Sequence, residues 1–174
     1  MATALVFMGV SGCGKTSIGQ ALSEQLGWPF YDGDDFHSPE NVCKMSKGIP
    51  LNDVDRTNWL ETLHDLISEK LRADENLVVA CSALKTKYRQ QLRFGNEGLL
   101  FVFLKGDFDL IWSRMQTRKD HYMKPEMLKS QFNALETPSK ALVVNIDQAV
   151  ETIIQEIIGY LGSEPYFNQD NERE

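Results

Sequence analysis

The chain has 174 residues, 42% of them hydrophobic and 25% charged, with a formal net charge of −7. That length suffices for one well-cored domain and is short for two. The acidic balance, with no basic stripe interleaved with aromatics, argues against a nucleic-acid partner, and no apolar run approaches the ~20 residues of a membrane span.

Met1-Ala2-Thr3-Ala4 supplies no basic stretch ahead of the first apolar run, so no cleaved signal peptide is expected. Leu5 to Met8 reads as a buried strand, and Gly-Val-Ser-Gly-Cys-Gly-Lys-Thr follows at 9–16. Gly9, Gly14, Lys15 and Thr16 fill the G-x-x-x-x-G-K-[ST] pattern of a phosphate-binding loop. Ile18, Ala21, Leu22 and Leu26 then recur at helical spacing. A random chain of this length matches the pattern on the order of half a percent of the time, and the strand and helix flanks lower that further. Backbone N–H groups of Gly9, Val10, Ser11, Gly12, Cys13 and Gly14 are therefore expected around a nucleoside triphosphate. Lys15 reaches its outer phosphates and the Thr16 hydroxyl ligates Mg²⁺. Cys13, Cys43 and Cys81 include no C-x-x-C pair, which fits a reducing, cytoplasmic compartment and disfavours a disulfide scaffold or zinc site. Cys13 reads as a small residue filling a loop position.

Pro29-Phe30-Tyr31 is a brief second strand ending at Asp32. Ser38-Pro39-Glu40 reads as N-cap, N1 proline and acidic first turn of a short helix that stops near Gly48. Asp53 to Leu71 is a longer helix with Trp59, Leu60, Leu63, Leu66, Ile67 and Leu71 on one face. Leu77 to Ala80 is a strand, Lys85 to Leu92 a helix, and Leu99 to Leu104 a strand. Asp107 caps a helix with Phe108, Ile111, Trp112 and Met115 inward. Pro125 opens the next helix, Ala141 to Val144 is the last strand, and Val150 to Leu161 carries the clearest helical stripe. Strands alternating with helices predict an α/β, three-layer fold around a five-stranded parallel sheet, with ligands at the carboxyl ends of the strands.

Polar groups at those strand ends are the site candidates. Asp32, Asp34 and Asp35 crowd four residues, an arrangement a cation or donor-rich ligand stabilises. One of Asp32 and Asp34 would hold hydrated Mg²⁺ and the other would accept a substrate hydroxyl proton. The third strand ends in Ala80-Cys81-Ser82 without a carboxylate, and neither D-x-x-G nor N-K-x-D is found, which argues against a GTPase switch and for a small-molecule kinase. Arg56, in the first turn of the long helix, suits a substrate carboxylate, although a merely solvated arginine fits its spacing equally well. Arg114, Arg118, Lys119, His121 and Lys124 form a cationic stretch suited to a lid, with a solvated basic face as the alternative. His64 is read as structural.

Together these stretches resemble the gluconate kinases (gluconokinases), a family of small phosphate-loop kinases with a nucleoside-monophosphate-kinase-like fold. The likeness covers about residues 5–147. It rests on Asp32-Gly33-Asp34 with His37, Asn41, Lys44-Met45, Gly48, Pro50 to Asp53, Asp55-Arg56, Trp59-Leu60, Cys81 to Lys85, Tyr88-Arg89, Leu104 to Gly106, Arg118-Lys119, His121 and Gln131-Phe132. Asp120 and Asn133 depart from the family pattern, which expects glycine and an acidic residue there.

The resemblance implies ATP- and Mg²⁺-dependent phosphorylation of D-gluconate at its 6-hydroxyl by a cytoplasmic homodimer. A shikimate or nucleoside monophosphate kinase, or a non-catalytic nucleotide sensor, is the alternative. It further implies catalytic roles for Lys15, Asp34 and Arg118, gluconate contacts from Asp34, His37, Arg56, Ser82, Lys85, Arg89 and His121, and metal contacts from Thr16 and Asp32. The expected organisation is a kinase domain over 1–162, with a substrate-binding helical region near 38–60, a lid near 118–135, and an acidic tail over 163–174.

Overall fold

The uniformly apolar runs assemble into one parallel sheet. A computed structural model describes residues 1–117 and 124–163. Along the chain run β1 (Ala4–Met8), α1 (Lys15–Leu26), β2 (Phe30–Asp32), a 3₁₀ turn (Gly33–Phe36), α2 (Pro39–Ser46), α3 (Asp53–Arg72), β3 (Leu77–Ala80) and α4 (Thr86–Arg93). Then follow β4 (Leu99–Lys105), α5 (Phe108–Gln116), α6 (Pro125–Ala134), β5 (Leu142–Asn145) and α7 (Val150–Ser163). The strand order is β2-β3-β1-β4-β5, with every neighbouring pair parallel. β1 lies at the centre, where successive connections leave to opposite sides. The phosphate loop thus opens at the switch point where ligands of such sheets bind.

Strand residues alternate between two cores. Leu5, Phe7, Val78, Val102, Leu104 and Val144 face α1, α5, α6 and α7. Ala4, Val6, Met8, Leu77, Val79, Phe101 and Phe103 face α3 and α4, where Trp59, Leu60, Leu63, Ile67 and Leu92 meet them. Both faces being covered explains why β1, β3 and β4 carry no polar alternation.

Caps set the helix boundaries. Ser38 accepts the Asn41 N–H, as its place before Pro39 implied. The long helix opens at Asp53, as expected, and is capped by Asn52. Asn52 Oδ1 accepts the Asp55 N–H at 2.9 Å and Asp55 Oδ2 accepts the Asn52 N–H at 3.0 Å, a reciprocal box. Asp107 accepts the Leu110 N–H at the start of α5. His64 is structural, as expected: Nε2 lies 2.8 Å from the Phe94 carbonyl and ties α3 to the end of α4.

The close approach of β2 to β3 depends on Gly33, where a Cβ would stand 2.5 Å from the Ala80 carbonyl oxygen. Gly33→Ala is expected to cost about 1–3 kcal/mol, seen as a drop in Tm of roughly 2–12 °C on thermal unfolding. An unchanged Tm would show that the end of β2 yields without cost.

Candidate active site

The phosphate loop is shaped by its glycines. Gly9, Gly12 and Gly14 have φ of 142°, 79° and 102°, a region that favours glycine. A Cβ on Gly9 would meet Cys13 Sγ at 2.8 Å, and one on Gly12 would meet Met115 Cγ at 2.6 Å. Cys13 is buried and fills the inside of the turn. α1 begins at Lys15 with no side chain capping it and no acidic residue in its first turn, so its positive end faces the site unneutralised. Lys15 Nζ donates to the Gly9 and Val10 carbonyls, each at 3.0 Å, folding the ammonium over the loop mouth.

The end of β2 faces this loop. The Thr16 hydroxyl donates to Asp32 Oδ2 at 2.9 Å, and Asp32 Oδ1 accepts the Asp34 N–H at 3.0 Å, capping the 3₁₀ turn. That turn swings the Asp34 side chain out from the strand end. It is 85% exposed along its side chain. Protein nevertheless occupies much of the volume around the carboxylate, and this loss of hydration, followed by the Asp32 charge, pushes its pKa up. His37 and Lys15 act in the opposite direction.

His37 Nε2 lies 3.8 Å from Asp34 Oδ1, and the imidazole is nearly buried at 4% side-chain exposure. It stacks on Trp59 at 4.3 Å between ring centroids, and Trp59 is itself fixed by donating to the Gly33 carbonyl at 2.7 Å. Burial and then Arg56 depress the His37 pKa against the pull of Asp34, favouring the neutral ring. Among the described residues, its Nδ1 is buried without a hydrogen-bond partner. A buried polar atom of this kind normally has one.

A cationic wall lines the far side. Arg56, Lys85 and Lys87 each approach the Tyr88 ring to 5.8 Å. Asp53 gathers the wall: it accepts from Lys85 at 3.3 Å and from Lys87 and the Tyr88 hydroxyl. These bonds, Lys87 first, hold the Asp53 carboxyl well below the usual carboxylate range. Arg56, Lys85 and Lys87 thus gather around Tyr88 and Asp53, with Asp55 acting on Arg56 and Glu136 on Lys85. α2 is fastened to the same helix through Asp55, which accepts Lys44 Nζ at 2.7 Å and, through its carbonyl, Asn41 Nδ2 at 2.8 Å.

Comparison with known proteins decides among the kinase families. A family model described as shikimate kinase matches residues 11–161. A mouse protein named probable gluconokinase is 44% identical, covering 86% of this chain and 92% of its own. The thermoresistant gluconokinase of Escherichia coli is 45% identical over 88% of this chain and 90% of its own. The chain belongs to the gluconokinase family. The crystal structure of a gluconokinase from Sinorhizobium meliloti, 41% identical, superposes with a TM-score of 0.83, covering 96% of this chain and 97% of the other. The three-layer fold expected from the strand pattern is thereby shown, and membership in a kinase family implies use of ATP.

Within this gluconokinase-family chain, contacts and charges link Lys15, Thr16, Asp32, Asp34, His37, Arg56 and Lys85 as successive neighbours. Ser82 sits beside the phosphate loop, its carbonyl accepting the Gly9 N–H at 3.2 Å. Arg89, which the resemblance put among the gluconate contacts, is only 7% exposed. Its Nη1 donates to the Ala83 and Leu84 carbonyls at 2.8 and 3.1 Å, and its Nη2 to Thr86 Oγ1 and the Glu136 carbonyl at 3.1 and 2.9 Å. Both terminal nitrogens of its guanidinium are spent on a loop in which Ala83 adopts φ 42°. Arg89 braces the segment that presents Lys85. Arg114, read as part of a cationic lid, donates from Nη2 to the Ile146 carbonyl at 2.8 Å and ties α5 to the end of β5.

Arg118, Lys119, Asp120 and His121 lie outside the described residues, as does the tail from 164 to 174. Asp53, Tyr88 and Gln131 were not singled out as site residues by the sequence. The family stretches containing them were the available signal, but their partners lie 32 to 120 positions away.

Proposed function

We propose that this chain transfers the γ-phosphoryl group of ATP to the 6-hydroxyl of D-gluconate, giving 6-phospho-D-gluconate. The observation that carries the reading is the placement of Asp34. It is close enough to Lys15 and His37 for both charges to act on it, and His37 in turn senses Arg56. A carboxylate thus stands between a triphosphate loop and a cationic wall. In this reading the wall holds the gluconate carboxylate through Arg56 and Lys85, and the open His37 Nδ1 meets a hydroxyl. Asp34 accepts the proton of the attacking 6-hydroxyl as the new O–P bond forms and the bond from the γ-phosphorus to ADP breaks. Its raised pKa makes it a better proton acceptor than an ordinary aspartate.

The Thr16 hydroxyl and Asp32 carboxylate, already 2.9 Å apart, are hard oxygen donors and fit Mg²⁺, which neutralises phosphate charge when bound. Among the described residues no three His, Cys, Asp or Glu side chains converge as a closed metal cage. The protein's share of such a site is therefore these two groups, with phosphate oxygens and water completing it. A lid over 118–135, including Arg118 and His121 and fastened at its Gln131 end to Ser11, belongs to the same proposal. So do a cytoplasmic location, for which the three unpaired cysteines speak, and a homodimer. A solution mass equal to the 19.8 kDa monomer would remove the last.

An ATP-consumption assay over gluconate, shikimate and AMP tests the reaction. Gluconate-dependent turnover is expected. The shikimate kinase model match makes shikimate the reading to beat, and turnover on shikimate alone would replace gluconate. Acceptor-independent hydrolysis would instead support a nucleotide sensor. Arg56→Gln and Lys85→Met are each expected to raise the KM for gluconate roughly 10- to 100-fold, the worth of one charge-assisted hydrogen bond, with the KM for ATP little changed. Unchanged gluconate KM in both variants would move the carboxylate site elsewhere.

A further inference from the structure

Two sets of contacts fasten α6 to both halves of the cleft. Gln131 spends both ends of its amide on Ser11: Oε1 accepts the Ser11 backbone N–H at 2.7 Å, and Nε2 donates to Ser11 Oγ at 3.0 Å. A backbone N–H can only donate, so the amide oxygen must face it, while the serine hydroxyl accepts or donates by rotating. The amide orientation is thus set by chemistry. Just past the end of α6, the Glu136 N–H donates to the Leu84 carbonyl at 2.8 Å. The Glu136 carboxylate accepts the Thr86 N–H at 2.7 Å, supplying the cap that α4 lacks from its own Lys85, and its carbonyl accepts Arg89. Residues 131–136 therefore bridge the phosphate loop and the segment that presents Lys85.

We propose that Gln131 is a positioning residue for phosphoryl transfer, gripping Ser11 so that the phosphate loop is set for the triphosphate and spaced from the acceptor wall by the Gln131–Glu136 strut. Ser11 lies between Gly9 and Gly12, whose φ of 142° and 79° belong to the region where glycine is conformationally permissive. A side-chain amide locking both polar groups of Ser11 lowers the entropy lost when nucleotide binds. The acceptor-spacing part rests on the kinase reading above; the nucleotide-binding part does not.

The test uses the full chain, titrated calorimetrically with a non-hydrolysable ATP analogue and Mg²⁺, beside steady-state kinetics and thermal unfolding. Gln131→Ala is expected to weaken analogue binding roughly 3- to 10-fold and to raise the KM for ATP in parallel, with gluconate KM within about twofold of the parent. Gln131→Glu keeps an acceptor for the Ser11 N–H but adds a negative charge near the triphosphate. It is expected to bind the analogue more weakly than Gln131→Ala at low salt, with the gap closing as salt rises, a response that a purely structural role would not produce. Ser11→Ala added to Gln131→Ala should cost nothing further in the part of the effect carried by the shared hydroxyl contact. Analogue affinity equal to the parent's in Gln131→Ala would overturn the proposal. So would full additivity with Ser11→Ala, or an equal rise of both KM values together with a fall in Tm. A parent protein inactive on gluconate would defeat the gluconate reading and leave the analogue titration to decide this one.

Discussion

Asp34→Asn is expected to lower kcat by ~10²–10⁴-fold with little change in the KM for ATP, the loss typical of a positioned general base. The amide is isosteric and keeps the 3₁₀ turn, because the turn is capped by Asp32 accepting the backbone N–H of residue 34, not by the Asp34 side chain. The pH profile carries a second readout. A base works deprotonated, so the rate falls on the acid side as the carboxylate takes up a proton. Poor hydration and the Asp32 charge raise this pKa, so the acid limb of the parent lies above the ~3.9 of an ordinary aspartate. Asp34→Asn should abolish the limb. A purified Asp34→Asn protein with normal kcat would take this residue out of the reaction.

Lys15→Ala is expected to abolish measurable turnover, a fall of at least ~10²–10³-fold, the usual loss when a fixed donor to developing charge is removed. The ammonium has two duties. Folded over the loop it satisfies the Gly9 and Val10 carbonyls, and once a triphosphate is present it is the group within the loop able to turn toward the outer phosphates. Loss of the first duty alone would appear as a lower Tm with residual activity. Loss of the second appears as inactivity in a protein that unfolds near the parent temperature, and that is the result anticipated. Substantial turnover in a folded Lys15→Ala variant would break the assignment of the octapeptide as the phosphate site.

Contiguous chemistry was legible before any fold was known. The phosphate loop needs eight adjacent residues, and its strand and helix flanks are written in periodicity, so β1, the loop and α1 appear where they were expected. The Ser38-Pro39 and Asp107 caps are local for the same reason. Asp32 and Asp34 were recognised as a pair from their spacing, and their division of labour came only with the family resemblance. Only in three dimensions does Thr16 reach Asp32, leaving Asp34 turned toward Lys15 and His37. Arg89 shows the limit from the other side. Its chemical type suits a sugar-acid carboxylate, and nothing in its spacing reveals that Ala83, Leu84, Thr86 and Glu136 consume its terminal donors.

The sequence by itself determined the class of chemistry: a triphosphate loop, an acidic acceptor side, and stretches specific enough to name the gluconokinase family. Tertiary structure decided which distant side chains meet: Asp53 with Lys85, Lys87 and Tyr88, Gln131 with Ser11, and Glu136 with the start of α4. The physical reason lies in the sheet. Buried parallel strands are apolar throughout, so Leu77–Ala80 and Leu99–Lys105 read alike, and periodicity cannot say which lies beside β1 on which side. The order β2-β3-β1-β4-β5 arises from packing of whole faces against α3 and α4 on one side and α1, α5 and α7 on the other. Once that order is set, the loops at the carboxyl edge have no choice of neighbours.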